Sequence, residues 1–262
     1  MTQPEKAEAF RALHEGEPFV LPNPWDVESA RALAGLGFKA LASTSAGLAE
    51  RLGRTDGEVT LSEAVDHARE LDEATDLPVA MDLENGYGPD PADAADAVRR
   101  VGEAGAVGGS IEDWDPSDEV IYCLEHAVAR IEAAVKASRA LPFPFTLTAR
   151  AENQLRGLND LDDTITRLKA FEEAGADVLY APGLRSHDEV RAVCDSVSKP
   201  VNVLALPSLT VEGIAAAGGQ RISLGSWLSS IANQASMATA LSVAASIRDD
   251  GDFSVLATSA RP

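Results

Sequence analysis

Eight short apolar runs, each followed by a segment with apolar residues at helical spacing, constrain this chain more than any other feature. The runs are Phe19–Leu21, Ala40–Ser43, Val79–Leu83, Gly108–Glu112, Thr146–Ala149, Val178–Ala181, Val201–Leu204 and Ile222–Leu224. Runs this short, rich in Val, Leu and Ile and separated by helices, read as buried parallel strands. A faint repeat supports the spacing. Ala34-Gly35-Leu36-Gly37, Ala104-Gly105-Ala106, Ala174-Gly175-Ala176 and Ala217-Gly218-Gly219 each fall just before a strand. Glycine there supplies the left-handed residue that ends a helix. Helix starts are equally legible: Thr60-Leu61-Ser62-Glu63 offers a capping box, and Asp90-Pro91 puts proline in a first turn.

Strands alternating with helices suit either a doubly wound open sheet or a closed barrel. The dinucleotide-binding open sheet carries GxGxxG after its first strand, whereas this chain has Pro22-Asn23-Pro24-Trp25-Asp26 there, and it has no GxxxxGK[ST]. Eight strands with none to spare predict an α/β fold, a single (β/α)₈ TIM barrel, and 262 residues suit the roughly 250 such a barrel needs. The expected domain is 1–262, with 226–262 as a C-terminal helical extension and tail. Within it, Ser226 to Ile247 is rich in Ala, Ser and Leu, so it can pack closely on the barrel's own wall or a neighbouring subunit. Beyond Asp249-Asp250-Gly251-Asp252 the tail reads as loosely ordered.

Charge narrows the partners. With 22 basic and 42 acidic residues the formal charge is −20, which disfavours nucleic acid and anionic membranes. An anionic substrate would need local cations or a metal. No apolar run approaches the roughly 20 residues of a membrane span. Met1-Thr2-Gln3-Pro4-Glu5-Lys6 lacks the features of a signal peptide, so a cytoplasmic location is expected. Cys123 and Cys194 form no CxxC and read as structural thiols. His14, His67, His126 and His187 are scattered, which supports neither a zinc site nor a histidine-centred triad.

A barrel of this kind keeps its active site at the C-terminal ends of its strands. Here those ends read Ser43-Thr44-Ser45-Ala46-Gly47, Asp82-Leu83-Glu84-Asn85-Gly86-Tyr87-Gly88, Glu112-Asp113 and Arg150-Ala151-Glu152-Asn153. Asp82 and Glu84, two apart on a strand, are expected to point to one side, with Glu112 adding a third carboxylate from the next strand. Like charges that close raise one another's pKa or recruit a cation. Oxygen-only donors suit a hard ion such as Mg²⁺. Arg150 is a natural clamp for a substrate carboxylate. Singly, each residue has a plainer role: Asp26 reads as a helix cap, and Ser45, Gly47 and Asn85-Gly86 as turn formers. The coincidence of four strand ends carries the functional reading.

These residues, in this order, resemble the isocitrate lyase/phosphoenolpyruvate mutase superfamily. The resemblance runs from about Pro22 to about Ser226. It is carried by Ser45-Ala46-Gly47-Leu48-Ala49, Leu52-Gly53 leading to Asp56-Gly57, Asp82 to Gly88, Ser110-Ile111-Glu112-Asp113, Thr148-Ala149-Arg150 and Pro200-Val201-Asn202. It implies a phosphoenolpyruvate/pyruvate-type barrel whose last helix is exchanged between subunits of a homodimer or homotetramer. It implies Mg²⁺, with Mn²⁺ as the alternative, held by Asp82, Glu84 and Glu112 partly through water. The small 2-oxo acid partner would chelate that ion. Ser45 and the backbone of Ala46 and Gly47 would hold substrate oxygens, Arg150 would supply positive charge, Asp56 would organise the metal's surroundings, and Asn202 would line the pocket. The chemistry implied is formation of a metal-bound enolate by breaking a C–C or P–C bond.

Two departures bear on the reaction. Glu84 stands where many members carry Asp. After Glu112 the chain reads Asp113-Trp114-Asp115-Pro116-Ser117-Asp118-Glu119-Val120-Ile121-Tyr122-Cys123, which is neither the Lys-Lys-Cys-Gly-His loop of the lyases nor the Lys/Asn gate of the P–C enzymes. The leading expectation is a Mg²⁺-dependent lyase that cleaves a C–C bond of a small 2-oxo or 2-hydroxy acid. The alternatives are P–C chemistry (phosphonopyruvate hydrolase or phosphoenolpyruvate mutase), oxaloacetate decarboxylation, and a non-catalytic 2-oxo-acid binding protein.

Overall fold

The computed structural model describes residues 1–250. Its strands are β1 (Phe19–Leu21), β2 (Leu41–Ala42), β3 (Val79–Asp82), β4 (Gly108–Glu112), β5 (Trp114–Asp115), β6 (Val120–Ile121), β7 (Thr146–Arg150), β8 (Val178–Tyr180), β9 (Val201–Leu204) and β10 (Arg221–Ser223). The helices are α1 (Gln3–Leu13), α2 (Val27–Gly35), α3 (Ser45–Arg51), α4 (Leu61–Ala74), α5 (Pro91–Glu103), α6 (Leu124–Arg139), α7 (Leu161–Glu173), α8 (His187–Cys194), α9 (Val211–Ala216) and α10 (Trp227–Asp250).

Eight strands form one parallel sheet in the order β1-β10-β9-β8-β7-β4-β3-β2. They are the eight expected, with no end moved by more than one residue. The sheet's two outer strands meet where Ala42 N–H donates to the Pro22 carbonyl at 3.1 Å. Asn23 fastens that seam. Its Nδ2 donates to the Ser43 carbonyl at 3.0 Å, and its Oδ1 accepts the amides of Leu224 and Gly225, both at 2.9 Å. One side chain in the Pro-Asn-Pro turn after β1 thus satisfies backbone groups at the ends of two strands, β2 and β10. This is the (β/α)₈ barrel that the strand count predicted.

Buried apolar side chains recur along the strands because both faces of the sheet are covered. Met81, Ile111, Leu147, Leu179, Val203 and Ile222 are each at most 2% exposed. Full burial of a side chain of this size stabilises by about 1.5–3 kcal/mol. The predicted punctuation holds: Thr60 and Glu63 form a reciprocal capping box, Asp90-Pro91 opens α5, and Asp26 Oδ1 accepts the Ser29 amide at 2.7 Å. Gly37, Gly105, Gly175 and Gly218 all take positive φ after their helices.

Helix α1 is an element the strand pattern did not announce. It lies against the start of the strands. Phe10 is fully buried, and its ring comes so near Gly108 that an added Cβ would lie 2.8 Å from it. Lys6 donates to Asp72 Oδ1 at 2.7 Å and to the Thr75 carbonyl at 2.8 Å.

The described residues after Gly225 belong to a second compact unit, formed by α10. The stretch 251–262, where a loosely ordered tail was expected, lies outside the described residues. Among the described residues, no helix is long and apolar enough to cross a membrane.

Candidate active site at the strand ends

Asp82, the last residue of β3, is the hub. Its Oδ2 accepts the Ser45 amide at 3.2 Å, and its Oδ1 lies 3.6 Å from Arg150 Nη1. Ser45 opens α3, where Thr44 Oγ1 caps the helix by accepting the Gly47 amide at 3.4 Å. The Gly47 N–H is therefore already engaged, while Ala46 lies beside it in the first turn. Ser45 Oγ donates to Asp56 Oδ1 at 2.8 Å. Desolvation and the neighbouring Asp82 hold the Asp56 carboxyl above its ordinary range.

Glu84 corrects one expectation. β3 ends at Asp82, and Glu84 has a φ of +49°, so it leaves the strand in a left-handed turn. The two-residue alternation that would aim it alongside Asp82 does not apply. The turn continues through Gly86 (φ +87°) and Tyr87 (φ +65°), three left-handed residues among four. Strain of this kind persists where surrounding structure enforces it. Here Arg130 donates to the Asn85 and Pro89 carbonyls, and Asn85 Nδ2 donates to Tyr122 Oη at 3.2 Å. The result is a buried carboxyl whose Oε1 has no hydrogen-bond partner among the described residues. Burial, then Asp82 and Asp56, push its pKa up to about 8.

Glu112 and Arg150 sit side by side at the ends of β4 and β7, in register. Glu112 Oε2 is 3.3 Å from Arg150 Nε, and burial drives its carboxyl well above the usual range despite that cation. Arg150 also meets Glu152, and its guanidinium lies 5.4 Å from the centroid of the Tyr180 ring. Burial opposes its charge, but Glu112, Glu152 and Asp82 outweigh burial and keep it protonated. The expected carboxylate clamp is thus engaged by three carboxylates of the chain itself.

Among the described residues, no three His, Cys, Asp or Glu side chains converge closely enough to grip a bare ion. Arg150 stands between Asp82 and Glu112. The picture of three carboxylates meeting at one point is therefore corrected to a looser ring. The donors still fit a hard divalent ion that keeps much of its own water: all are oxygens, and the buried Glu84 Oε1 lacks a partner.

Asn202 does not face the ring openly. It is 1% exposed, accepts from Arg221 Nε at 2.8 Å, and donates to Ser223 Oγ at 3.0 Å. Both ends of its amide are engaged inside the barrel.

Some residues at the site escaped the sequence reading. After Glu112 comes an antiparallel hairpin, β5 with β6, whose turn lies near Gly57: an added Cβ there would be 3.4 Å from Pro116 Cβ. Asp113 is buried under it, accepting from Arg167 Nη1 at 3.1 Å and from the Glu152 amide at 2.8 Å. Arg156 reaches Glu152 at 3.1 Å and Glu112 at 3.7 Å, and stacks 4.3 Å from the centroid of Trp114. The only signal for Arg156 was a positive charge soon after a strand end. Cys123 is exposed at the N-cap of α6, and burial raises Cys194 to about 11.

Against known proteins, residues 10–244 match the model of a family described as phosphoenolpyruvate phosphomutase. An uncharacterized protein of Mycobacterium tuberculosis H37Rv, Rv1998c, is 34% identical over 215 residues, covering 81% of this chain and 80% of that one. The oxaloacetate decarboxylase of Paraburkholderia xenovorans is 31% identical over 195 residues, covering 70% and 62%. A crystal structure from Burkholderia cenocepacia J2315, described as a "putative lyase/mutase", has 49% identity and a TM-score of 0.90. It covers 99% of this chain and 93% of that one.

Proposed function

The chain belongs to the isocitrate lyase/phosphoenolpyruvate mutase superfamily, and from that premise we propose that it is a divalent-metal-dependent lyase. Its substrate is a small 2-oxo or 2-hydroxy acid, and the bond it cleaves is C–C. The observation that carries this reading is the unpartnered, buried carboxyl oxygen of Glu84 beside Asp82 and Asp56. Carboxylates gathered out of water repel one another unless protons or a cation intervene.

Mg²⁺ is the ion proposed, with Mn²⁺ as the alternative, and Asp82, Glu84 and Glu112 would hold it largely through water. Such an ion, when bound, supplies Lewis-acid stabilisation of charge that develops on a keto oxygen. The chain's own groups do the rest. Ser45, with Ala46 and Gly47 behind it, orients substrate oxygens, and Asp56 fixes the Ser45 hydroxyl. Arg150 contributes positive charge where electrons from the broken bond arrive. Asn202 supports this floor from inside the barrel rather than from its opening.

Decarboxylation of oxaloacetate uses the same enolate-forming apparatus, and the name of the Paraburkholderia relative favours it as the second reading. P–C chemistry has less support, because residues 113–123 contain neither Lys nor Asn. We also place the chain in the cytoplasm as a homodimer or homotetramer that exchanges 226–262. Trp227, Ile231, Met237 and Leu241 of α10 are 45–64% exposed, an apolar display suited to a partner surface. Light scattering on the purified chain tests that assembly.

The deciding experiment incubates the protein with Mg²⁺ and a panel of 2-oxo and 2-hydroxy acids, reading thermal stabilisation and released pyruvate or glyoxylate. A ligand that binds the folded state raises the melting midpoint. Product formation abolished by EDTA and by Asp82→Ala supports the lyase. Ligand binding without product supports a sensor, and turnover indifferent to both treatments removes the metal site.

A further inference from the structure

The acidic hairpin over the site creates an electrostatic problem. Asp115, Asp118 and Glu119 belong to it, and no Lys or Arg does. Arg150 cannot readily serve a second anionic group, because it is only 13% exposed and already meets three carboxylates. Arg156 is placed differently. Its side chain is 32% exposed, its Nε and Nη2 face Glu152 and Glu112, and Nη1 has no hydrogen-bond partner among the described residues. Its charge is felt at Asp56 and at Glu84, so it faces the same ring of acids. Trp114 of the hairpin lies over its guanidinium at 4.3 Å. A cation stacked on an indole face is held in plane while its edge stays available for a planar anion.

Resting on the 2-oxo-acid reading above, we propose that Arg156, braced by Trp114, is the specificity-determining cation for a second carboxylate at the far end of the substrate. The substrate class narrows to 2-oxo acids with a distal carboxylate. The hairpin then selects substrate without a lysine of its own, by supporting an arginine from the β7–α7 loop.

Calorimetric titration in Mg²⁺ tests this with four probes: oxalate and pyruvate, which lack a distal carboxylate, and oxaloacetate and 2-oxoglutarate, which carry one. Arg156→Gln is expected to weaken at least one of the longer acids by roughly 10- to 100-fold, the scale of a lost charge-assisted pair. Oxalate and pyruvate are expected to change less than about threefold on the same scale. Arg156→Lys restores part of the affinity, and Trp114→Leu loses several-fold for the longer acid alone. Melting midpoints of all variants are read alongside, so that misfolding is recognised. Equal weakening of short and long acids, or no weakening of either, overturns the proposal while leaving the 2-oxo-acid reading in place. If the unmutated protein binds none of the four with Mg²⁺, the underlying reading falls and this one with it.

Discussion

Asp82 Oδ2 accepts the backbone N–H of Ser45 at 3.2 Å, so the end of β3 and the first turn of α3 share one carboxylate. Asp82 therefore fixes the wall of the site as well as its charge. Asp82→Asn keeps the shape and an acceptor oxygen but removes the charge. Expected is a loss of Mg²⁺-dependent ligand affinity of at least about 100-fold, with a melting midpoint close to that of the parent. Ser45→Ala removes the hydroxyl that Asp56 holds toward the substrate but keeps the backbone N–H to Asp82, and a smaller loss of about tenfold is expected. Titration of oxalate in Mg²⁺ reads both. If Asp82→Asn binds as tightly as the parent, Asp82 is not part of the metal site.

Gly86 is held by two independent constraints. Its φ is +87°, and a Cβ there would lie 2.7 Å from Ala94 Cα, a backbone atom that cannot step aside. Gly86→Ala is expected to destabilise the fold by about 2–4 kcal/mol, adding a steric clash to left-handed strain. Urea denaturation measures it. Because Glu84 lies in the same turn, ligand affinity should fall even in the fraction that remains folded.

The strand-end carboxylates were legible because apolar runs stop at polar residues, and chemistry at the C-terminal ends of strands follows from the fold. Asp82, Glu112 and Arg150 needed no more than that. Glu84 was legible as a residue but not as a direction, since nothing in Asp-Leu-Glu-Asn-Gly declares that the strand stops at Asp82. The hairpin after Glu112 was missed because two-residue strands show no periodicity, and Trp114-Asp115 resembles a loop. Helix α1 was missed for another reason. Its one fully buried large apolar side chain, Phe10, sits among charged neighbours and gives a weak helical pattern. Asn202 looked like a pocket residue from its motif, but only tertiary structure shows Arg221 and Ser223 consuming its amide.

His67 gives a prediction about acid. It is 2% exposed and neither ring nitrogen has a hydrogen-bond partner among the described residues, and burial, then Arg51, lower its pKa to about 4 from 6.5 although Glu70 Oε2 lies 3.8 Å from Nδ1. The unfolded chain takes up a proton near 6.5 that the folded chain refuses until about 4. Stability from this group is therefore fully present above 6.5 and falls as pH drops toward 4, by on the order of 3 kcal/mol. His14, buried beside Arg221 and lowered to about 3, acts in the same direction. His67→Leu should flatten the decline between pH 6.5 and 4 without costing a hydrogen bond. Urea midpoints at pH 7.5, 6 and 5 test it, and parallel curves for variant and parent would refute it.

Arg221 places a charge inside the barrel. It is buried, donates to Asn202 Oδ1 at 2.8 Å and to Thr148 Oγ1 at 3.0 Å, and burial lowers its pKa to about 10. Among the described residues, none of its hydrogen-bond partners is a carboxylate, so the barrel interior holds a charge met there by neutral acceptors. Removing the Asn202 side chain leaves the Arg221 Nε–H without its acceptor inside the barrel, while Nη1 and Nη2 keep theirs. Asn202→Ala is therefore expected to cost about 2–4 kcal/mol, the penalty for stranding a buried charged donor. Arg221→Met removes the charge as well as the donor and should cost less than Asn202→Ala, since an apolar replacement of similar length needs no partner. The double variant, measured by urea denaturation, should be no worse than Asn202→Ala alone. A double variant whose loss equals the sum of the two singles would show that Arg221 and Asn202 act independently.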